Sequence, residues 1–387
     1  MGLALAEATL AVAALVSPEV DYFLTPGWHR IIVPDDELGF RMSPYYPGND
    51  AEGFRNESIP DTCEVVTIGD SVTYGFAAQP EEAWPRQLED RLGTCVHNVS
   101  CGGYGPVEYR VLLARALELE PRTVLLGMHS GVGGDFLDAY ESVYTDGRFP
   151  ELRTADATLE AELARLDRET PFRQSKPLRT PRPPETLREW VSAHSRLWGL
   201  GRELFPILAG GQFVSIIHDD DSPLDTYELG TSRPWSFPFE GEDGFRTVFR
   251  QPRFLIRRGF LEDPRFREGR RITGAVLVDM QRRLAERDVR FVVVIVPSKE
   301  VVLESLIESR PELSELLPAI AVEEQITRQF QRFLDRHGIP FLDTTEALRA
   351  GFARGVRLYP ETGDVHPNAA GYTLIADAVA AFLGANR

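Results

Sequence analysis

One serine, one Asp–His pair and two glycine-rich turns stand out as residues that could do chemistry together. The serine is Ser71, in Gly69-Asp70-Ser71-Val72-Thr73-Tyr74-Gly75. The pair lies near the other end of the chain, in Asp364-Val365-His366-Pro367-Asn368. The turns are Cys101-Gly102-Gly103-Tyr104-Gly105 and His129-Ser130-Gly131-Val132-Gly133-Gly134-Asp135. A serine hydroxyl is a weak nucleophile until a base takes its proton, and histidine is the usual base at neutral pH. The base in turn needs a carboxylate to orient it. Glycine-rich turns can present backbone N–H groups to a developing oxyanion. Together these residues suit nucleophilic acyl transfer.

For residues so far apart in sequence to meet, the fold must bring them to one edge. The segments preceding them read as strands. Glu64–Gly69 is a short β-branched run, Val96–Ser100 a second strand and Thr123–Met128 a third, nearly all apolar as expected for a strand buried on both faces. Val289–Val296 is the strongest strand pattern, and 340–342 is a short fifth one. Helical spacing fills the gaps over 82–92, 107–119, 271–287, 322–337, 345–353 and 368–383. Strand–helix alternation with short turns predicts a parallel, doubly wound α/β sheet of five strands in the order 2-1-3-4-5. In such sheets ligands bind at the carboxyl ends of the strands, where Ser71, the two glycine-rich turns and Lys299 all fall.

The remaining segments are less regular. Residues 1–60 read as an N-terminal helix and an irregular lead-in, 61–145 as the first half of the core, 146–267 as an insertion or lid subdomain, and 268–387 as the second half. Within the insertion, five prolines at 171, 177, 181, 183 and 184 mark an extended linker, a helical pattern follows at 185–204, and there is no clean period over 209–267. Its aromatics Trp235, Phe237 and Phe239 either line a lid over the site or form a small core of their own. Leu3–Val16 is apolar apart from Glu7 and Thr9, and reads either as a surface helix or as the tail of a membrane anchor. Fourteen helical residues rise about 21 Å, short of a hydrocarbon core of about 30 Å.

Composition excludes other classes. The 387 residues carry 42 basic and 59 acidic side chains, a net charge of −17, which argues against a nucleic-acid partner. Forty of the 42 basic residues are arginine. The three cysteines have no zinc-binding spacing, so no metal is implied. Cys63 and Cys95 immediately precede the first two strands. As neighbours about 4.8 Å apart, these strands would allow a bridge between the two cysteines; buried free thiols are the alternative.

At the residues named first, the sequence resembles a known family. Ile68 to Gly75 is similar to the signature block of the SGNH/GDSL hydrolases. Asn98 to Gly105 resembles the family's second block, and Asp364 to Asn368 its last. The lead-in Asp50-Ala51-Glu52-Gly53-Phe54-Arg55-Asn56 resembles a bacterial branch that is often membrane-anchored and tied to glycan O-acetylation, as in the alginate acetyltransferase-like proteins. The resemblance covers 50–145 and 270–387, not the insertion. It implies an SGNH-type three-layer sandwich. Ser71 would be the nucleophile, His366 the base and Asp364 its orienter, with Ser71 and Gly103 N–H groups as oxyanion donors.

The sequence departs from the family pattern in two places. Only Val365 separates Asp364 from His366, where two residues are common; the shorter spacing resembles the acetyltransferase-like branch. In the third block Gly134 stands where the family has an oxyanion-binding Asn. Such a donor is typically worth about 2.7–4 kcal/mol in the transition state. His129 and Ser130, on the same turn, are candidates to replace it; a packed or surface histidine is the equal alternative for His129. Asp70 reads as an orienting hydrogen-bond partner in the nucleophile turn rather than as an acid, and is also a candidate substrate contact. Lys299, in a chain with only one other lysine, reads as a substrate contact or as a solvated loop residue.

The resemblance implies a serine esterase acting on acyl esters, O-acetyl groups on a glycan included, with no cofactor. It also implies an extracytoplasmic address with a membrane tether at the N-terminus. An O-acyltransferase to a sugar hydroxyl and a catalytically weak glycan-binding relative are the alternatives. His194, His218 and His337 carry no partner pattern and read as structural or exposed; Tyr45 and Tyr46 sit in the lead-in, where they could pack against the site rim.

Overall fold

A computed structural model describes residues 2–24, 31–129, 134–169, 187, 190–191, 195–198, 200–201, 236–241, 244–250 and 260–385. The chain divides into two compact units, one of residues 1–58 and 173–225 and the other of 59–172 and 226–387, so that the segment 146–267 is shared between them. Ser130, His194, His218, Trp235, the proline-rich run and most of the expected 185–204 helix lie outside the described residues.

In the first unit, Gly2–Val16 and Pro18–Leu24 are helices. A hairpin follows from β1 (Ile32–Asp35) and β2 (Gly39–Met42). The helix Gly2–Val16 leaves Leu3, Leu5, Val12, Leu15 and Val16 exposed. Among the described residues no helix is long and apolar enough to cross a membrane. The lead-in loop is organised by Asp50, whose carboxylate accepts from the backbone N–H groups of Glu52 and Phe54 and from the Asn56 amide.

The second unit is the α/β body. Its sheet contains β3 (Val65–Ile68), β4 (Val96–Asn98), β5 (Thr123–His129), β8 (Arg290–Val296) and β9 (Phe341–Asp343), with a separate antiparallel pair β6 (Ser236–Glu240) and β7 (Arg246–Arg250). The five strands are all parallel in the order β4-β3-β5-β8-β9, the order expected from the sequence. The fold is thus α/β with a five-stranded, all-parallel sheet. Every residue of β3 is buried, and so is every residue of β8 after Arg290, because helices cover both faces.

One face packs Val65, Leu125, Val292, Val294 and Val296 against the helices Trp84–Leu92, Thr345–Ala353 and Ala369–Ala385. The other carries Met128 and Ile295 against Phe136, Ile326 and Phe330. Cys63 and Cys95 form a disulfide, with a Cα–Cα distance of 5.2 Å, at the amino ends of β3 and β4. Cys101 is buried, its thiol directed at the Gly102 carbonyl at 3.7 Å.

Two helices begin earlier than periodicity suggests. The helix expected at 271–287 is Pro264–Ala285, because the Asp263 carboxylate caps the Arg265 N–H and Pro264 supplies the first turn. The helix expected at 322–337 is Leu317–Arg336, with Pro318 in its first turn. The β6–β7 hairpin, drawn from the expected insertion, sends Phe239, Phe245 and Phe249 into the main core, and Phe237 packs against it. These aromatics are therefore core residues of the α/β body.

Candidate active site

Ser71 is the first residue of the short helix Ser71–Tyr74, directly beyond β3. The turn is tight. A Cβ on Gly69 would lie 2.3 Å from Thr73 Oγ1 and 2.9 Å from the Gly127 carbonyl oxygen, and one on Gly127 would lie 2.0 Å from Thr73 Oγ1. Only glycines let the Ser71 turn sit this close to β5. Asn98, at the end of β4, donates its amide to the Thr73 carbonyl at 2.9 Å and accepts from Thr67 and from the Ser100 N–H. Asp70 caps the helix, accepting the Val72 N–H at 2.9 Å. Burial raises the Asp70 carboxyl above its ordinary value, against the pull of His129, the Val72 N–H and His366.

The structure brings Ser71 together with the distant Asp364 and His366. His366 Nε2 lies 2.8 Å from Ser71 Oγ, and Nδ1 lies 2.6 Å from Asp364 Oδ1. The same carboxylate oxygen accepts the His366 backbone N–H at 2.9 Å, while the Asp364 N–H donates to Thr362 Oγ1 at 3.1 Å. One intervening residue is therefore enough: the carboxylate folds back over Val365 and grips both the ring and the backbone of His366. The Phe76 ring meets the imidazole edge-on, centroids 5.4 Å apart, and the Phe76 carbonyl accepts the Tyr372 hydroxyl.

The electrostatics follow from this packing. Burial alone pushes His366 down, but the Asp364 charge and hydrogen bond outweigh it and hold the imidazole above its ordinary value. Burial pushes Asp364 up, yet His366 by charge and hydrogen bond holds the carboxyl well below the usual carboxylate range. The pair at rest thus favours a carboxylate facing the imidazole, the arrangement that stabilises an imidazolium once the serine proton arrives.

The other expected residues fall at or behind the same rim. Gly102 and Gly103 follow β4. A Cβ on Gly102 would lie 3.6 Å from the Ser71 Cβ and 2.5 Å from the Phe76 ring. Gly103 has φ +82°, a left-handed conformation that glycine adopts without strain. Gly134 opens the helix Gly134–Tyr140, where an added Cβ would meet no described atom within 4 Å. His129 ends β5 with Nδ1 3.2 Å from the Val296 carbonyl oxygen; burial pushes its imidazole down, and Asp70 opposes this.

Lys299 corrects the sequence reading. Its side chain is wholly buried, and its ammonium donates to Thr247 Oγ1, to the Val248 carbonyl and to the Asp364 carbonyl, which uses all three of its N–H donors and leaves none for a substrate. His337, unassigned in the sequence, lies against Phe333.

Several contributors escaped the sequence reading. Val248 reaches the Asp364 loop directly, and Thr247 through the Lys299 ammonium, from a hairpin with no motif, and nothing in their spacing signals it. Phe76 directly follows the signature block and could have been flagged by that adjacency. Asp135 and Tyr109 form a buried pair behind the rim, the tyrosine donating to the carboxylate at 2.9 Å; burial, with the Asp70 and Asp138 charges, raises Asp135 well above the usual range. Among the described residues no group of three His, Cys, Asp or Glu side chains could hold a metal ion.

Residues 254–387 match the family model for the SGNH hydrolase-like domain, acetyltransferase AlgX. The matched segment contains Asp364 and His366 but not Ser71. Among curated proteins, none matches this sequence. A proposed acylhydrolase from Bacteroides fragilis aligns at 10% identity over 84% of this chain and 91% of its own, with a TM-score of 0.35. A GDSL-like lipase from Bacteroides thetaiotaomicron aligns at 11% identity over 84% of this chain and 89% of its own, with a TM-score of 0.33. Superpositions this loose carry no argument. The matched family model stands for acyl-ester hydrolysis or acyl transfer as a coarse class. The chain resembles the SGNH/GDSL hydrolases, and over residues 254–387 it is similar to their AlgX-type acetyltransferase branch.

Proposed function

We propose that this chain is a serine enzyme of acyl esters, with Ser71 as nucleophile, His366 as general base and Asp364 as its orienting carboxylate. The observation that carries the reading is the continuous relay from Ser71 Oγ through His366 to Asp364, at 2.8 and 2.6 Å. Ser71 Oγ attacks the ester carbonyl while its proton passes to His366 Nε2. The tetrahedral intermediate is held by the backbone N–H groups of Ser71 and Gly103. Its collapse returns the proton from His366 to the departing alcohol and leaves an acyl group on Ser71. A water molecule, deprotonated by His366, then releases the acid. No step requires a cofactor.

The substrate reading is an O-acetyl ester on a glycan. It is supported by the Asp-x-His spacing and the 50–56 lead-in that resemble the glycan O-acetylation branch. A second reading is favoured by the family matched over 254–387, an acetyltransferase: the acyl group on Ser71 passes to a sugar hydroxyl instead of to water. The two share every residue named and differ in whether the acceptor displaces water. The Cys63–Cys95 bridge supports an extracytoplasmic address, since such bonds persist in oxidising compartments. The exposed apolar helix Gly2–Val16 is consistent with a tether at that end.

The test is a fluorophosphonate probe together with a panel of short acyl esters and acetylated sugars, with and without glycan acceptors. Labelling at Ser71, and loss of both labelling and turnover in Ser71→Ala, are expected. Undiminished turnover in a well-folded Ser71→Ala variant would refute the reading. Acetylated acceptor among the products identifies transfer.

A further inference from the structure

We infer that Lys299 is a positioning residue that clamps the loop bearing Asp364 and His366 to the β6–β7 hairpin. The inference rests on the catalytic reading above. Lys299 follows β8 directly and is 0% exposed. Its ammonium ties together two segments far apart in sequence. From the hairpin it takes Thr247 Oγ1 at 3.1 Å and the Val248 carbonyl at 2.9 Å, and from the acid loop it takes the Asp364 carbonyl at 2.9 Å. Between the same segments the Val248 N–H reaches the Thr362 carbonyl across a longer 3.4 Å.

Among the described residues this buried cation is held by neutral acceptors alone, which is costly, because three neutral oxygens replace water without a counter-charge in contact. In keeping with that cost, burial draws Lys299 down to about 8. An apolar side chain of similar volume would avoid the charge but would leave the two carbonyls buried and unpaired. Arginine, used at 40 of the 42 basic positions, spreads its donors along a planar fork and cannot converge three of them from one tip. Lysine can.

The carbonyl it grips belongs to the residue whose carboxylate orients the base. Asp364 is thereby held at three points: its carbonyl by Lys299, its N–H by Thr362, and its carboxylate against His366. Misplacing a reacting group by about 1 Å can cost about a hundredfold in rate. The hairpin comes from the segment that sequence alone reads as a lid. The clamp therefore makes the geometry of the base depend on that hairpin's being seated.

The experiment compares fluorophosphonate labelling of Ser71 in the full chain for wild type, Lys299→Met, Thr247→Val and Thr247→Ser. Labelling amplitude counts folded sites, and the rate constant reports activation of the nucleophile. A residue with a merely structural role would lower the amplitude and leave the rate of the folded fraction alone. Lys299→Met is expected to label to full amplitude at least tenfold more slowly. Thr247→Val should be slowed severalfold, and Thr247→Ser, which keeps the hydroxyl, should recover most of the rate. Full-amplitude labelling of Lys299→Met at the wild-type rate overturns the inference. If Lys299→Met does not fold, a wild-type rate in Thr247→Val overturns it. If the wild type itself does not label, the catalytic reading has failed. The clamp is then read from exchange of the His366 amide hydrogen: faster exchange in Thr247→Val supports it, and unchanged exchange overturns it.

Discussion

Replacing Asp364 by Asn keeps the size of the side chain and removes the charge beside His366. Two effects follow from the observed contact. The carboxylate oxygen sits 2.6 Å from Nδ1. At that separation a unit charge pair is worth about 6 kcal/mol at an effective dielectric of about 20, an upper bound because the amide dipole replaces part of it. At about 1.36 kcal/mol per decade, this is at most about 10⁴- to 10⁵-fold in rate. If the Asn amide nitrogen faces Nδ1, it also inverts the tautomer: Nε2 then carries the hydrogen and donates to Ser71 Oγ instead of accepting its proton. Asp→Asn at a serine-enzyme triad typically costs about 10⁴ in kcat by this route. We expect kcat to fall about 10⁴-fold with KM within about threefold, since neither atom need touch the substrate. The pH profile gives an independent readout. Activity disappears as pH falls through the His366 pKa, because the imidazolium cannot take the serine proton. The Asp364 charge holds that pKa above its ordinary value, so in Asp364→Asn the acid limb should move to lower pH. The assay is steady-state hydrolysis of a short acyl ester from about pH 4 to 9, with thermal unfolding as the folding control. A loss below about thirtyfold, or an acid limb that stays in place, would refute the triad argument.

Three further outcomes are expected. Gly102→Ala drives a methyl to 2.5 Å from the Phe76 ring, which must then press on His366; kcat should fall about tenfold to a hundredfold, and Phe76→Leu in the same chain should restore part of it. Gly134→Asn should raise turnover if the family's oxyanion donor is simply missing, as there is open space at that Cβ among the described atoms; a fall in a folded variant would show that His129 or Ser130 already serves, and alanine at each would tell which. Cys63→Ser opens a bridge of sequence separation 32, which by loop entropy stabilises by about 4 kcal/mol, a shift that urea unfolding would measure; three free thiols in denatured, unreduced protein would remove that argument.

Much of this was legible in the residues themselves. The parallel sheet and its 2-1-3-4-5 order could be read because strands buried on both faces are nearly continuous apolar runs, and because short turns leave few routes between them. Ser71, Asp364 and His366 could be named because each lies in a compact local pattern. The cap at Asp263 was local too, but periodicity passes over it: Arg and Glu dominate the first turns of that helix. What no local pattern carries is contact between segments far apart in the chain. The 295-residue separation of Ser71 and His366 closes to 2.8 Å only because parallel strands deliver their carboxyl ends to one rim. The choice between a bridge and two thiols was settled by β3 and β4 starting side by side. Lys299, read from the sequence either as a substrate contact or as a solvated loop residue, turns inward because the β6–β7 hairpin and the Asp364 loop together offer three oxygens that an ammonium can satisfy at once. Sequence determined which groups could do the chemistry; burial and hydrogen-bond satisfaction, which exist only in the packed chain, decided which of them face the site and which hold it in place.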